Sequence, residues 1–177
     1  MTPLHSAATY NTNQEVITTL IKAGADIAAR DGLGLTPLHD AAMENTNPEV
    51  IATLIKAGAD IAARADNGWT PLHSAATYNT NQEVITTLIK AGADIAARDG
   101  LGLTPLHTAA ARNESPEVIT ALVKAGADIE ARDAEIGATP LFLAAASNTN
   151  PEVVTALIKA GANLEARDKD GWTPLHA

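Results

Sequence analysis

Thr2-Pro3-Leu4-His5-Ser6-Ala7-Ala8 reads as the start of a helix. A threonine hydroxyl can cap the first free N–H groups, and proline at the first helical position loses no hydrogen bond while bringing a suitable φ. His5 falls at the third helical position. From there an imidazole can reach back to the threonine in the manner of a capping box, where a carboxylate is usual. The same tetrapeptide returns at Thr36, Thr70, Thr104 and Thr173, and as Thr139-Pro140-Leu141-Phe142. The copies are 34 residues apart, with a single step of 35 between Thr104 and Thr139. A fixed period of this length marks a chain built from stacked repeats rather than one globular core.

Outward from that start, the first helix of repeat one is expected from Pro3 to Thr9 or Tyr10, with Leu4, Ala7 and Ala8 on its inner side. Asn13 begins a second helix, and the copies at Asn47-Pro48, Ser115-Pro116 and Asn150-Pro151 place proline at its first position. Gly24, Gly58, Gly92, Gly126 and Gly161 end it. Val16, Ile17, Leu20 and Ile21 form one apolar stripe at helical spacing. Both helices are shorter than the ~12–15 residues at which an isolated helix is even marginal in water, so neighbouring repeats must hold them. The segment Ala25 to Arg30 is expected to be extended, and Asp31-Gly32-Leu33-Gly34 to turn the chain into the next Thr-Pro.

The pattern Thr-Pro-Leu-His-x-Ala-Ala, followed by Glu-Val-Ile-x-x-Leu-Ile-Lys-Ala-Gly-Ala-Asp-Ile, resembles the ankyrin repeat over essentially the whole chain. The resemblance implies an all-α solenoid of helix-turn-helix units with protruding β-turn fingers. The units are 2–35, 36–69, 70–103, 104–138 and 139–172, with a partial sixth at 173–177. Three features depart from the common form. The inter-helix loop is one residue longer. The finger has Ala28, Ala62, Ala96, Glu130 and Glu165 where asparagine is usual, which removes a tightening bond. Asp133-Ala134-Glu135-Ile136-Gly137 carries one extra residue, so the fourth finger is expected to protrude.

Composition narrows the function. The net charge is −9, with the acidic surplus spread along the array at Asp40, Glu44, Asp66, Glu114, Glu130 and Glu135. Such a chain repels phosphate backbones and lacks the clustered cations that nucleic-acid binding needs. No run approaches the ~18 apolar residues of a membrane span, and no basic segment leads into a hydrophobic signal core. With no cysteine either, disulfides and thiolate metal sites are excluded and the cytoplasm is the favoured compartment.

The five histidines, His5, His39, His73, His107 and His176, are expected to be capping residues. Helices packed ~8–10 Å apart do not bring equivalent positions within the ~2 Å ligand distance of one shared zinc. Gly32-Leu33-Gly34 and Gly100-Leu101-Gly102 precede helix starts without a dinucleotide or Walker pattern and are turns. Asn113-Glu114-Ser115 is a glycosylation sequon followed by Pro116, without a secretory signal. No nucleophile stands beside a base and no carboxylate pair converges, so neither catalysis nor a cofactor is expected.

Recognition would therefore be written where the repeats vary while their frame stays constant. In the resembling family ligands lie along the concave face of fingers and first helices. Carried over, that face comprises Tyr10, Leu33, Leu35, Met43, Glu44, Trp69, Tyr78, Leu101, Leu103, Arg112, Ile136 and Trp172. All the aromatics of the chain except Phe142 fall on it, and aromatics anchor interfaces. A second reading stays open: Trp69 and Trp172 cover neighbouring fingers, while the tyrosines pack on inter-helix loops. The expected partner is a protein or an extended peptide. The alternatives are a structural element that stacks end to end and a consensus-like scaffold without a natural target. Residues 2–39 and 70–107 are identical, which points to very recent duplication or to an assembled sequence. Neither end carries a polar capping repeat. Parts of Leu4, Val16 and Leu20 are accordingly expected to be exposed at the first repeat and to favour association.

Overall fold

The computed structural model describes residues 1–176. It contains ten α-helices: α1 Pro3–Tyr10, α2 Gln14–Lys22, α3 Pro37–Glu44, α4 Pro48–Lys56, α5 Pro71–Tyr78, α6 Gln82–Lys90, α7 Pro105–Arg112, α8 Pro116–Lys124, α9 Pro140–Ser147 and α10 Pro151–Lys159. A single 3-10 turn, Pro174–His176, follows. Among the described residues there is no strand, and no helix is long and apolar enough to cross a membrane. Odd-numbered helices stack on one another in one layer and even-numbered helices in a second.

The difference between the layers follows from side-chain size. The first helices meet through fully buried Ala8, Ala41, Ala42, Ala75, Ala76, Ala109 and Ala110, whereas the second helices meet through Val50, Ile51, Leu54, Val84, Ile85, Leu88, Val118, Ile119 and Leu122. Alanine lets backbones approach; branched side chains hold them apart. Each repeat is therefore a wedge, narrow on the first-helix side. The core is one continuous seam from Leu4 to Leu157.

Three side-chain ladders tie the wedges together. In the first, His5, His39, His73 and His107 each accept the N–H of the capping threonine at Nδ1, at 3.2 Å. The threonine hydroxyl also lies 2.8–2.9 Å from that nitrogen, completing the expected capping box. The opposite nitrogen, Nε2, lies 3.1 Å from the carbonyl of Leu35, Trp69, Leu103 or Ala138, the residue just before the capping threonine of the next repeat. An amide N–H can only donate and a carbonyl can only accept, so each ring must be neutral with its proton on Nε2. Burial pushes the pKa of His39, His73 and His107 below the ordinary value. Phe142 breaks this ladder at repeat five; Thr139 there accepts the Phe142 N–H.

The second ladder runs through the inter-helix loop. Asn79 Nδ2 donates to the carbonyls of Ala42 (3.0 Å) and Asn45 (2.9 Å), and its Oδ1 accepts from the Asn81 N–H. Asn45, Asn113 and Asn148 do the same in their repeats. Asn113 is thus buried with its amide occupied, which removes its sequon from chemistry.

The third ladder tightens the fingers. Arg30, Arg64, Arg98 and Arg132 each donate to the glycine carbonyl of their own finger and to the carbonyl of the equivalent arginine one repeat on. Asp31 Oδ1 accepts from the Leu33 and Leu35 N–H groups, and Asp99 repeats this with Leu101 and Leu103. These bonds do the work of the missing asparagine. Adjacent fingers are also joined backbone to backbone, Asp66 N–H to Leu33 O and Gly100 N–H to Asn67 O. At Gly68, with φ +83°, a Cβ would stand 2.7 Å from the Gly100 nitrogen, so the close approach requires glycine.

Two expectations need correction. Ala25 to Arg30 is not extended throughout, because Asp26 Oδ1 accepts the Ala28 N–H and bends the chain into a turn at Ile27-Ala28. Leu4 is fully buried, since it points between its own helix pair and repeat two; Val16 and Leu20 are half-buried. The longer fourth finger, with Ala134, Glu135 and Ile136 exposed, is held by Lys169 Nζ, which donates to the carbonyls of Ala134 (2.6 Å) and Glu135 (2.8 Å).

Candidate functional site

Because the fingers turn into the first helices, each pair of repeats frames an open hollow between finger tips and the exposed side of those helices. Two such hollows lie along one face. The first, about 450 Å³, is lined by Leu33, Leu35, Met43, Ala65, Asp66, Asn67, Trp69, Tyr78 and Arg112. The second, about 420 Å³, is lined by Leu101, Leu103, Ala111, Arg112, Asp133, Glu135, Ile136, Leu143 and Ser147. Of the residues carried over from sequence, all but Tyr10, Glu44 and Trp172 line one or both. Tyr10 is 78% exposed on repeat one. Glu44 ends α3 and is exposed. Trp172 borders a separate shallow recess with Arg167, Asp170, Gly171 and His176, and meets His176 edge-on at 5.6 Å.

The aromatic side chains divide between cover and anchor. Trp69 Nε1 donates to Asp99 Oδ2 of the next finger at 3.1 Å, so this ring does cover its neighbour. Its centroid is also 6.0 Å from that of Tyr78, tilted by 46°. Tyr78 therefore packs against Trp69. The pair forms a rigid wall of the first hollow, leaving Tyr78 half exposed. Leu33 and Leu101, at equivalent finger tips, are 66% and 56% exposed.

Charge at this face is two-signed. Arg112 ends α7 and lines both hollows. The finger arginines are occupied in their ladder and Lys169 in its clamp. Asp66 borders the first hollow and Glu135 the second, both exposed. Asp133 is buried, accepting the N–H groups of Ile136 and Gly137. Beneath the face, Asp40 on α3 is 8% exposed and its Oδ2 has no hydrogen-bond partner. Burial raises its pKa above the ordinary carboxylate value. Ser74, one repeat on, is fully buried with its hydroxyl likewise unpartnered.

Ala65, Asp66, Ala111 and Asp133 join the lining without having been assigned to the binding face from sequence. The aspartates resembled ordinary turn residues and the alanines ordinary frame residues. A broader furrow on the opposite side, about 540 Å³, lies between α8 and α10. It is lined by Thr120, Val123, Lys124, Thr155 and Lys159 among others, and another furrow separates α2 from α4. These furrows arise from the wedge shape that splays the second helices. Among the described residues no three His, Asp or Glu side chains gather as a metal-binding group.

Comparison with curated proteins finds no match. The family model described as ankyrin repeats (3 copies) matches residues 1–65, 38–133 and 106–177, which together span the chain. With a helix pair, a finger and the same cap repeated along its length, the chain belongs to the ankyrin-repeat family.

Proposed function

We propose that the chain is a non-catalytic module that binds a protein or an extended peptide along the face holding the two hollows. Ankyrin repeats are generally protein–protein interaction modules. The observation that supports the reading here is the juxtaposition of exposed Leu33 and Leu101 with the Trp69–Tyr78 wall on one continuous face. Exposed apolar groups in a row, held by a rigid frame, are what an interface core requires. The test is affinity capture with the wild-type chain, with Leu33→Glu/Leu101→Glu, and with Thr120→Glu on the opposite side. Partners lost only with the double finger variant support the reading. Equal capture by all three chains, or none by any, sinks it.

A second reading is favoured by a separate observation. Ile158 and Leu164 on repeat five are 42% and 41% exposed, and Val16 and Leu20 on repeat one are half-buried where Val50 and Leu54 are fully buried. In the 177-residue chain these faces are complementary, since each resembles one side of an internal repeat interface, and such contacts propagate without closing. Analytical ultracentrifugation over a concentration series should then show growing columns that Ile158→Lys abolishes. A monomer at every concentration rejects this reading.

A further inference from the structure

The lining of the two hollows selects among the peptides that the proposed face could take. Arg112 is the one cation that borders both, and among the described residues no hydrogen bond or ion pair engages its guanidinium. Apolar surface lies on either side of it: Leu33, Met43, Trp69 and Tyr78 in one direction, Leu101, Ile136 and Leu143 in the other. Among the apolar groups stand exposed carboxylates, Asp66 in the first hollow and Glu135 in the second. Each hollow therefore combines an apolar lining with an acid, and Arg112 stands where the two hollows meet.

We infer that the ligand is an extended segment carrying a carboxylate between two apolar anchors, with basic residues beside the anchors. This rests on the concave-face reading above and specifies its partner. The span supports it. With ~8–10 Å between packed neighbouring helices, two repeats separate the hollows by ~20 Å. An extended chain at ~3.3 Å per residue covers that in about six residues. Side chains at even spacing share one face of an extended chain, so the anchors fall at positions i and i+6 and the acid at i+2 or i+4. Arg112 would hold that acid through a planar, bidentate contact on a partly desolvated surface. Basic residues beside the anchors meet Asp66 and Glu135 and agree with the chain's net charge of −9, which steers cationic ligands.

The test is selection from a random peptide display library of about twelve residues, long enough at ~3.3 Å per residue to cross both hollows, against the full chain. Selected peptides should show two apolar positions about six apart with Asp or Glu enriched between them and Lys or Arg next to the apolar positions. Arg112→Glu should weaken those peptides at least about tenfold, as loss of a central arginine anchor does. Selection repeated on Arg112→Glu should enrich Lys or Arg at the middle position. Leu33→Glu/Leu101→Glu separates the two claims. If that variant abolishes binding while Arg112→Glu leaves it within about twofold, the face is right and the inferred ligand wrong. If neither variant matters, or no peptide is selected, both are wrong.

Discussion

Replacing Asn79 with alanine should cost far more than replacing Asn11, although residues 2–39 and 70–107 are identical. Asn79 is 2% exposed and makes three hydrogen bonds, two from Nδ2 into repeat two and one to the Asn81 N–H. The Asn11 side chain makes no bond into another repeat and keeps only the bond from the Asn13 N–H. At about 1 kcal/mol net for each bond, Asn79→Ala should lose about 3 kcal/mol and Asn11→Ala about 1. Local propensity and unfolded-state effects are the same for both, so the difference isolates the ladder. Urea unfolding followed by far-UV circular dichroism measures it. Fraying of the terminal repeat would mute any change there, so Ile17→Ala and Ile85→Ala, both at fully buried positions, serve as controls. These two should cost similar amounts, about 2–5 kcal/mol. Equal losses for the two asparagine variants, with equal losses for the isoleucine pair, would refute the ladder.

Acid should destabilise the fold well before carboxylates titrate. Burial depresses the pKa of His39, His73 and His107, so their stabilisation is complete above the unfolded value near 6.5 and declines as pH falls toward the folded values. Each contributes a slope of up to about 1.4 kcal/mol per pH unit in that window; a urea midpoint unchanged between neutral pH and about pH 5 contradicts the neutral-ring assignment. Asp40, raised by burial, works in the opposite sense at lower pH, because its neutral form is the better folded one. Asp40→Ala removes a buried unpartnered carboxylate oxygen without installing another polar group and should raise stability by about 1–2 kcal/mol; a loss on thermal denaturation would mean that the carboxylate is satisfied. Gly68→Ala meets the Gly100 nitrogen, whereas at Gly24, also at positive φ, nothing lies within 4 Å. The first should cost at least about 1 kcal/mol more than the second, and equal melting temperatures would deny the close finger contact.

The sequence by itself determined the period, the helix starts and the apolar stripes, because these depend on local chemistry. Threonine before proline caps a helix, glycine ends one, and Val16, Ile17, Leu20 and Ile21 share a helical face whatever surrounds them. It also named most of the residues that line the two hollows, as positions that change from repeat to repeat. The ladders were out of reach, since Asn79 bonds carbonyls 34 and 37 residues away and Arg64 a carbonyl 34 residues on. Likewise, no local signal placed Trp69 on Asp99 or Arg112 at the boundary of two hollows. The two identical stretches draw the line between local and tertiary most sharply. Ser6 is exposed and Ser74 fully buried, Val16 half-buried and Val84 fully buried, Tyr10 78% exposed and Tyr78 47%. Burial in a stack belongs to the interface between repeats, so the same residues in the same order acquire different environments according to which neighbour stands beside them.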